Sequence, residues 1–174
     1  AESSAQQETT ENAEATGAAE KPEEAAAPEE KQVVSKWKYS EKTDPMDDSK
    51  RYFAKNTSST KLKFDFPYNG GSYGTITVRN MNGKNEVMLS ISKGQFNVSI
   101  MGDEYCRIKF DDKEAQKVVY NSAADASMDY IFFTNPNQII KNLKSAKLVK
   151  IEAPFFQEGR QVMDFEVEGL VWDR

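Results

Sequence analysis

From Val33 onward, apolar and polar residues alternate with a period close to two. Trp37 and Tyr39 alternate with Lys36, Lys38 and Ser40, the signature of a half-buried strand, because successive side chains on a strand point to opposite faces. Thr43–Ser49 interrupts the pattern with residues that hydrogen-bond their own backbone, so it reads as a loop or turn. Arg51–Ala54 and Leu62–Phe66 read as two more short strands. Pro67 ends that run, and Asn69-Gly70-Gly71 marks a turn. Tyr73–Asn80 then sets Ile76 and Val78 against Thr75, Thr77 and Arg79, and Asn82-Gly83 is a dipeptide favoured by type I′ hairpin turns. Val87, Leu89 and Ile91 share one face of the next segment. Gly94 precedes Phe96, Val98 and Ile100, and Gly102-Asp103 turns the chain into Tyr105–Phe110, with Gln116–Tyr120 and Tyr130–Thr134 to follow. Short strands at regular spacing predict a mostly β fold, an antiparallel β-sandwich or a barrel-like variant of it.

One segment changes period. Ile139, Ile140 and Leu143 recur at helical spacing, with Lys141, Asn142 and Lys144 opposite. Asn135 stands at the capping position, Pro136 suits the first turn, and Lys144 and Lys147 suit the negative end of the helix dipole. The helix is expected to cover one open end of the sheet structure.

The last segment permits a register prediction. A hairpin loop over Gln157-Glu158-Gly159 pairs Ala153 with Met163, Ile151 with Phe165 and Val149 with Val167 on one face. Lys150 then meets Glu166, and Glu152 meets Asp164, on the other. A two-residue turn would scramble the faces, since a slip of one residue turns every side chain over. Beyond Val167 the apolar residues Leu170 and Trp172 take even positions, so Gly169 is read as a bulge. Trp37 and Trp172, from the first and last strands, are both expected to be largely buried.

Composition divides the chain in two. Residues 1–32 contain no aromatic, Val, Ile or Leu, and cannot bury enough apolar surface to offset ordering. This leader reads as disordered, and residues 33–174 as one domain. Nine Glu against two Lys give the leader −7 of a chain total of −5, so the domain carries +2. Nucleic-acid binding is not expected, since the chain lacks a basic footprint. As a coil the leader spans ~30 Å, enough to tether the domain to a membrane surface. Bacterial lipoproteins carry such stretches after a lipidated Cys, which here would precede Ala1. The other reading is an incidental disordered terminus or a linker. Any membrane association is expected only through such an anchor.

Candidate chemistry is sparse. The chain has no His, which removes His-dependent nucleophilic catalysis and imidazole metal sites. Lone Cys106 alternates with Ile108 and Phe110 and reads as a small buried hydrophobe, the other reading being a reactive thiol, which no His is present to activate. Asp164, Glu166 and Glu168 form a row at strand spacing; it offers a carboxylate pair for hydrolysis, or a solvated face opposite Lys150. Asp44, Asp47 and Asp48 offer oxygen ligands for a hard cation, or a plain turn; Asp103/Glu104 and Asp111/Asp112 read as turns in the same way. Tyr68, Asn69 and Tyr73, around Gly70-Gly71, have the chemistry of a glycan-binding loop, or of a turn whose tyrosines shield a sheet edge. Phe156 is expected exposed near the hairpin tip. Tyr130 and Phe132 pose a choice between an exposed aromatic contact and burial on both sides under the helix. No catalytic residue, metal ligand or cofactor is expected.

Thr43-Asp44-Pro45-Met46-Asp47-Asp48-Ser49-Lys50 after an early Trp strand, and Ile76-x-Val78-Arg79, resemble segments of bacterial envelope β-sandwich proteins. Among these are the accessory family associated with type VI secretion and the invasion-associated periplasmic proteins. The closing Phe165-x-Val167-x-Gly169-Leu170 resembles the end of many bacterial lipoproteins of uncharacterised type. The resemblance covers most of residues 35–172 and implies an exported, non-enzymatic sandwich, periplasmic or membrane-tethered. The expectation is therefore a monomeric binding domain of the cell envelope with a protein partner. The alternatives are a glycan-binding module using Tyr68, Asn69, Tyr73 and Phe156, and a carboxylate-dependent hydrolase using Asp164 and Glu166.

Overall fold

A computed structural model describes residues 34–98 and 104–174; the acidic leader, Ile100 and the Gly102-Asp103 turn lie outside them. The described residues form strands β1 (Lys38–Thr43), β2 (Lys50–Thr57), β3 (Gly74–Met81), β4 (Lys84–Ile91), β5 (Tyr105–Phe110), β6 (Gln116–Ser122) and β7 (Tyr130–Phe133), then helix α1 (Pro136–Ser145), then β8 (Leu148–Phe155) and β9 (Gly159–Glu166). All pairings are antiparallel, and the strands make one sheet in the order β1-β2-β3-β4-β7-β6-β5-β8-β9. The mostly antiparallel β fold with a helix in its C-terminal half is thus as the alternation predicts. The sandwich's two walls are two parts of one rolled sheet, which is not a closed barrel.

The roll is visible in what β9 touches. β2 and β9 stand second and last in the strand order, yet they meet. Asn56 Nδ2 donates to the Glu166 carbonyl at 2.7 Å, the Ser59 amide to the Asp164 carbonyl at 2.9 Å, and the Asp164 amide to Thr60 Oγ1 at 3.0 Å. Trp37 Nε1 donates to the Val167 carbonyl at 2.8 Å. Side chains bridge most of this seam, where a barrel would run a backbone ladder. Gly74 is required there: a Cβ on it would lie 2.4 Å from Met163 Sδ and 3.2 Å from the Phe165 ring.

Alternation fills the interior as expected. Ile76 and Val78, Val87, Leu89 and Ile91, Cys106, Ile108 and Phe110, Ile131 and Phe133, and Val149, Ile151 and Ala153 are all buried. Helix α1 packs on β4 and buries Ile139, Ile140 and Leu143. Ile139 and Leu143, with Phe110, Phe133, Val149 and Ile151, enclose a void of only about 10 Å³. Space for one water needs ~10–15 Å³, so these residues leave no ligand chamber between them. Toward the other end Phe155 stacks on Phe96 at 4.8 Å and leans on Phe64 at 5.0 Å. Gly94, at φ +109, passes so close that a Cβ would meet the Phe64 ring at 2.6 Å.

Several local expectations change. The Asn82-Gly83 turn forms as predicted, with φ of 52° and 77°. The β8–β9 loop, however, is Phe156-Gln157-Glu158: β8 ends one residue sooner than expected, at Phe155, and the Phe156 amide goes to the Gln95 carbonyl instead of to β9. Ile151 therefore pairs with Met163, Val149 with Phe165 and Ala153 with Gln161. That slip is two residues, so parity holds and the predicted faces stay inside. Lys150 meets Asp164, and Glu152 faces Val162. Leu62–Phe66 keeps its alternation only through Leu62 and Phe64, which are buried, while Phe66 is 86% exposed, and it makes only the single bridge Leu62–Ser72. Gly169 shifts the facing as expected, yet lies in a turn beyond the end of β9. Both tryptophans are buried. β1 is exposed at all six positions, Tyr39 included. Asn135 sits at the helix cap without a side-chain bond, and Lys144 reaches the Trp172 carbonyl and Asp173.

The seam predicts an outcome for Gly74→Val. Its branched side chain must displace Met163, so urea unfolding should show a loss of about 1–3 kcal/mol. Met163→Ala, added to that variant, should recover part of the loss; no recovery would mean the contact is not what holds β3 against β9.

Candidate functional site

With the interior filled, accessible chemistry lies on the outer surface. On β1–β4 and β7, register fixes which residues share the outer face. Lys38, Lys55, Thr77, Met88 and Phe132 form one cross-strand row, and Ser40, Phe53, Arg79 and Glu86 form the next. Lys42, Arg51, Met81 and Lys84 make a third.

A groove opens on this face for a topological reason. β4 pairs with β7 only at Met88, Leu89 and Ser90, because the chain leaves β7 at Thr134 to enter α1. Lys84–Val87 are therefore covered by β3 alone, and a groove of about 600 Å³ forms beside them. Its walls include Arg79, Glu86, Met88, Asp125, Tyr130 and Phe132. Tyr130 and Phe132 meet edge to face at 5.7 Å, and the Arg79 guanidinium lies 5.1 Å from the Phe132 ring centre. Arg79 is also held by Glu86, its cross-strand partner. Tyr130 donates its hydroxyl to Asp125 at 2.7 Å. That bond raises the tyrosine's pKa and, with the Ser127 amide, lowers that of Asp125. The sequence left Tyr130 and Phe132 open between exposure and burial. Their neighbours Ile131 and Phe133 are buried, while the pair itself is half-exposed on the outside.

A second hollow of about 500 Å³ adjoins it across β3, lined by Lys36, Lys38, Lys55, Thr57, Thr75, Thr77 and Ser90.

The residues singled out from sequence are distributed differently. Tyr68 is half-buried, packs against the core and lines a hollow of about 440 Å³ with Lys93 and Met128. The Asn69 carbonyl accepts from Lys93 Nζ at 2.9 Å. Tyr73 is 40% exposed and is tied through its backbone to Ser92. Phe156 is 51% exposed, its amide donating to the Gln95 carbonyl. These four sit on loops at the same end of the sheet, but only Tyr68 lines that hollow.

The carboxylate row is fully ion-paired: Asp164 with Lys150 at 3.0 Å, Glu166 with Lys36 at 2.7 Å, Glu168 with Lys147 at 3.3 Å. Asp44 accepts from the Met46 amide and Arg51, and Asp47 from the Ser49 amide, as in a self-bonded turn. Among the described residues no group of acidic or Cys side chains is arranged to hold a metal ion. Cys106 is wholly buried, and burial pushes its thiol well above the usual range. No family model, curated protein or solved structure matches the chain.

The strongest carboxylate perturbation is elsewhere. Glu152 on β8 accepts from Arg107 and Arg160, which hold its pKa down to about 2 against some opposing desolvation. A depressed carboxylate stabilises the fold above its unfolded pKa, and that contribution disappears as pH falls toward the folded value. Glu152→Gln should therefore cost about 1–3 kcal/mol at pH 7, after allowance for solvent screening of the two arginines. The gap from the wild type should narrow between pH 4.5 and about 2, followed by denaturant unfolding. A gap independent of pH would show that the charge is not responsible.

Proposed function

We propose that the domain is a non-catalytic binding module of the bacterial cell envelope that docks a protein partner on the outer face of β3, β4 and β7. The observation that carries this reading is the composition of the groove centre: Arg79, Met88, Tyr130 and Phe132 together, with polar and charged residues around them. Aromatic residues, Met and Arg are the types that concentrate binding energy at protein interfaces, where partial burial limits the rotamer freedom lost on docking. The envelope assignment is supported by the segments at Thr43–Lys50 and Phe165–Leu170 and by the acidic leader.

Protein is favoured over glycan by ring geometry. Sugar stacking needs an open, flat ring face, whereas Arg79 lies over Phe132 and Tyr130 meets it nearly perpendicular, at 76°. Tyr68, half-buried on the core, offers no better platform. Binding is favoured over hydrolysis because Asp164 and Glu166 are each neutralised by a lysine and no unpaired carboxylate stands beside them.

The test is capture from envelope extracts of the producing bacterium with the full chain immobilised. Phe132→Ala and Arg79→Ala should each weaken retention of the captured protein by about 10–100-fold. Val162→Ala, an exposed change on distant β9, should leave it unaltered. Retention that survives both groove variants, or that resists protease and yields to glycosidase, would overturn the reading.

A further inference from the structure

The hollow beside the groove carries charge that nothing described in the chain neutralises. Lys38 and Lys55 face each other directly across β1 and β2 on the outer face. Like charges in that position repel, and opposite charges are the usual choice. On the same face Arg51 has Asp44, Arg79 has Glu86 and Lys36 has Glu166. Lys38 and Lys55 have no acidic partner among the described residues. Lys84, on the groove wall, adds a third unneutralised cation within the same face.

The floor of the hollow is made of hydroxyls. Thr57 Oγ1 and Thr75 Oγ1 lie 3.4 Å apart, and Ser90 Oγ donates to the Thr75 carbonyl at 3.4 Å. Thr77, only 5% exposed, lines the same floor, and its hydroxyl makes no hydrogen bond among the described residues. Two ammonium groups and several hydroxyls lining one hollow offer an anionic oxygen group both charge and hydrogen bonds. The cross-strand pair Thr77–Met88 joins this floor to the groove wall, so one ligand can span both.

We infer that the hollow takes carboxylates of an acidic protein segment, rich in Asp or Glu, that lies across β1–β4 and continues into the Arg79–Phe132 groove. The inference rests on the docking face proposed above and supplies the chemistry of the partner. Acidic protein is favoured over sulfated or phosphorylated polymer by that continuity, since the groove centre is of the kind that receives protein side chains. The lysines also speed encounter with a negatively charged partner, and salt suppresses that effect.

Two-dimensional NMR of the full chain, titrated with a ten-residue polyglutamate peptide, tests the idea. The amides of Lys38, Lys55, Thr77 and Ser90 should shift together, and affinity should fall more than tenfold between 50 and 300 mM salt. Lys38→Glu with Lys55→Glu should abolish the shifts while leaving the thermal midpoint in place, and Thr77→Val should weaken binding several-fold. Absence of shifts, shifts that survive the double charge reversal, saturation by inorganic phosphate at equal concentration, or tighter binding of a sulfated oligosaccharide would each overturn the assignment. The two readings fail separately. Capture lost in Phe132→Ala but untouched by the lysine reversals sinks only the acidic segment, and polyglutamate binding with capture insensitive to Phe132→Ala sinks only the docking groove.

Discussion

Ile139 and Leu143 of α1 press against the inward residues of the rolled sheet and leave about 10 Å³ between them. Close packing of this kind gives each buried side chain dispersion contacts on every side, and an opened cavity would forfeit them. It also decides where the protein can act. A rolled sheet with a capacious interior can hold a ligand inside, as lipocalins do, but this interior is closed by a helix at one end and by Phe64, Phe96 and Phe155 toward the other. Space for a ligand is left on the outer surface.

The roll stops short of closure, and the seam shows why that is tolerated. A free sheet edge is a template for unwanted pairing. β9 is covered along part of its length by Asn56, Ser59 and Thr60, which satisfy its backbone groups one at a time, and Trp37 does the same for Val167 just beyond it. At the other edge β1 carries Lys38 and Lys42, charges that discourage a second strand of the same kind. The lysines therefore have two roles within one element. They protect an edge, and they add Lys38 to a row in which Lys55 is already positive.

The groove is a by-product of connectivity. β7 is only four residues long and must turn into α1 before it can pair with the start of β4. The helix that completes the core thus strips cover from Lys84–Val87 on the outside, and Tyr130, Phe132 and Arg79 line the space left. Core and candidate interface are two consequences of the same crossover.

Alternation along the chain determined the β class, the inward sets on β3, β4, β5 and β8, the Asn82-Gly83 turn, the helix and the burial of both tryptophans. These follow from local geometry: side chains on a strand alternate, and those on a helix recur every three to four residues, wherever the element lies. The candidate interface was far less legible. Tyr130 and Phe132 stood out as aromatics, and Arg79 stood in a strand, but their meeting depends on β4 pairing with a strand some forty residues further on. Lys38 opposite Lys55 likewise exists only through the β1–β2 register. Register missed its mark even within the β8–β9 hairpin, because the Phe156 amide goes to the Gln95 carbonyl, some sixty residues away, and not to β9. Face is a property of one strand; neighbour is a property of several, and only long-range packing selects it.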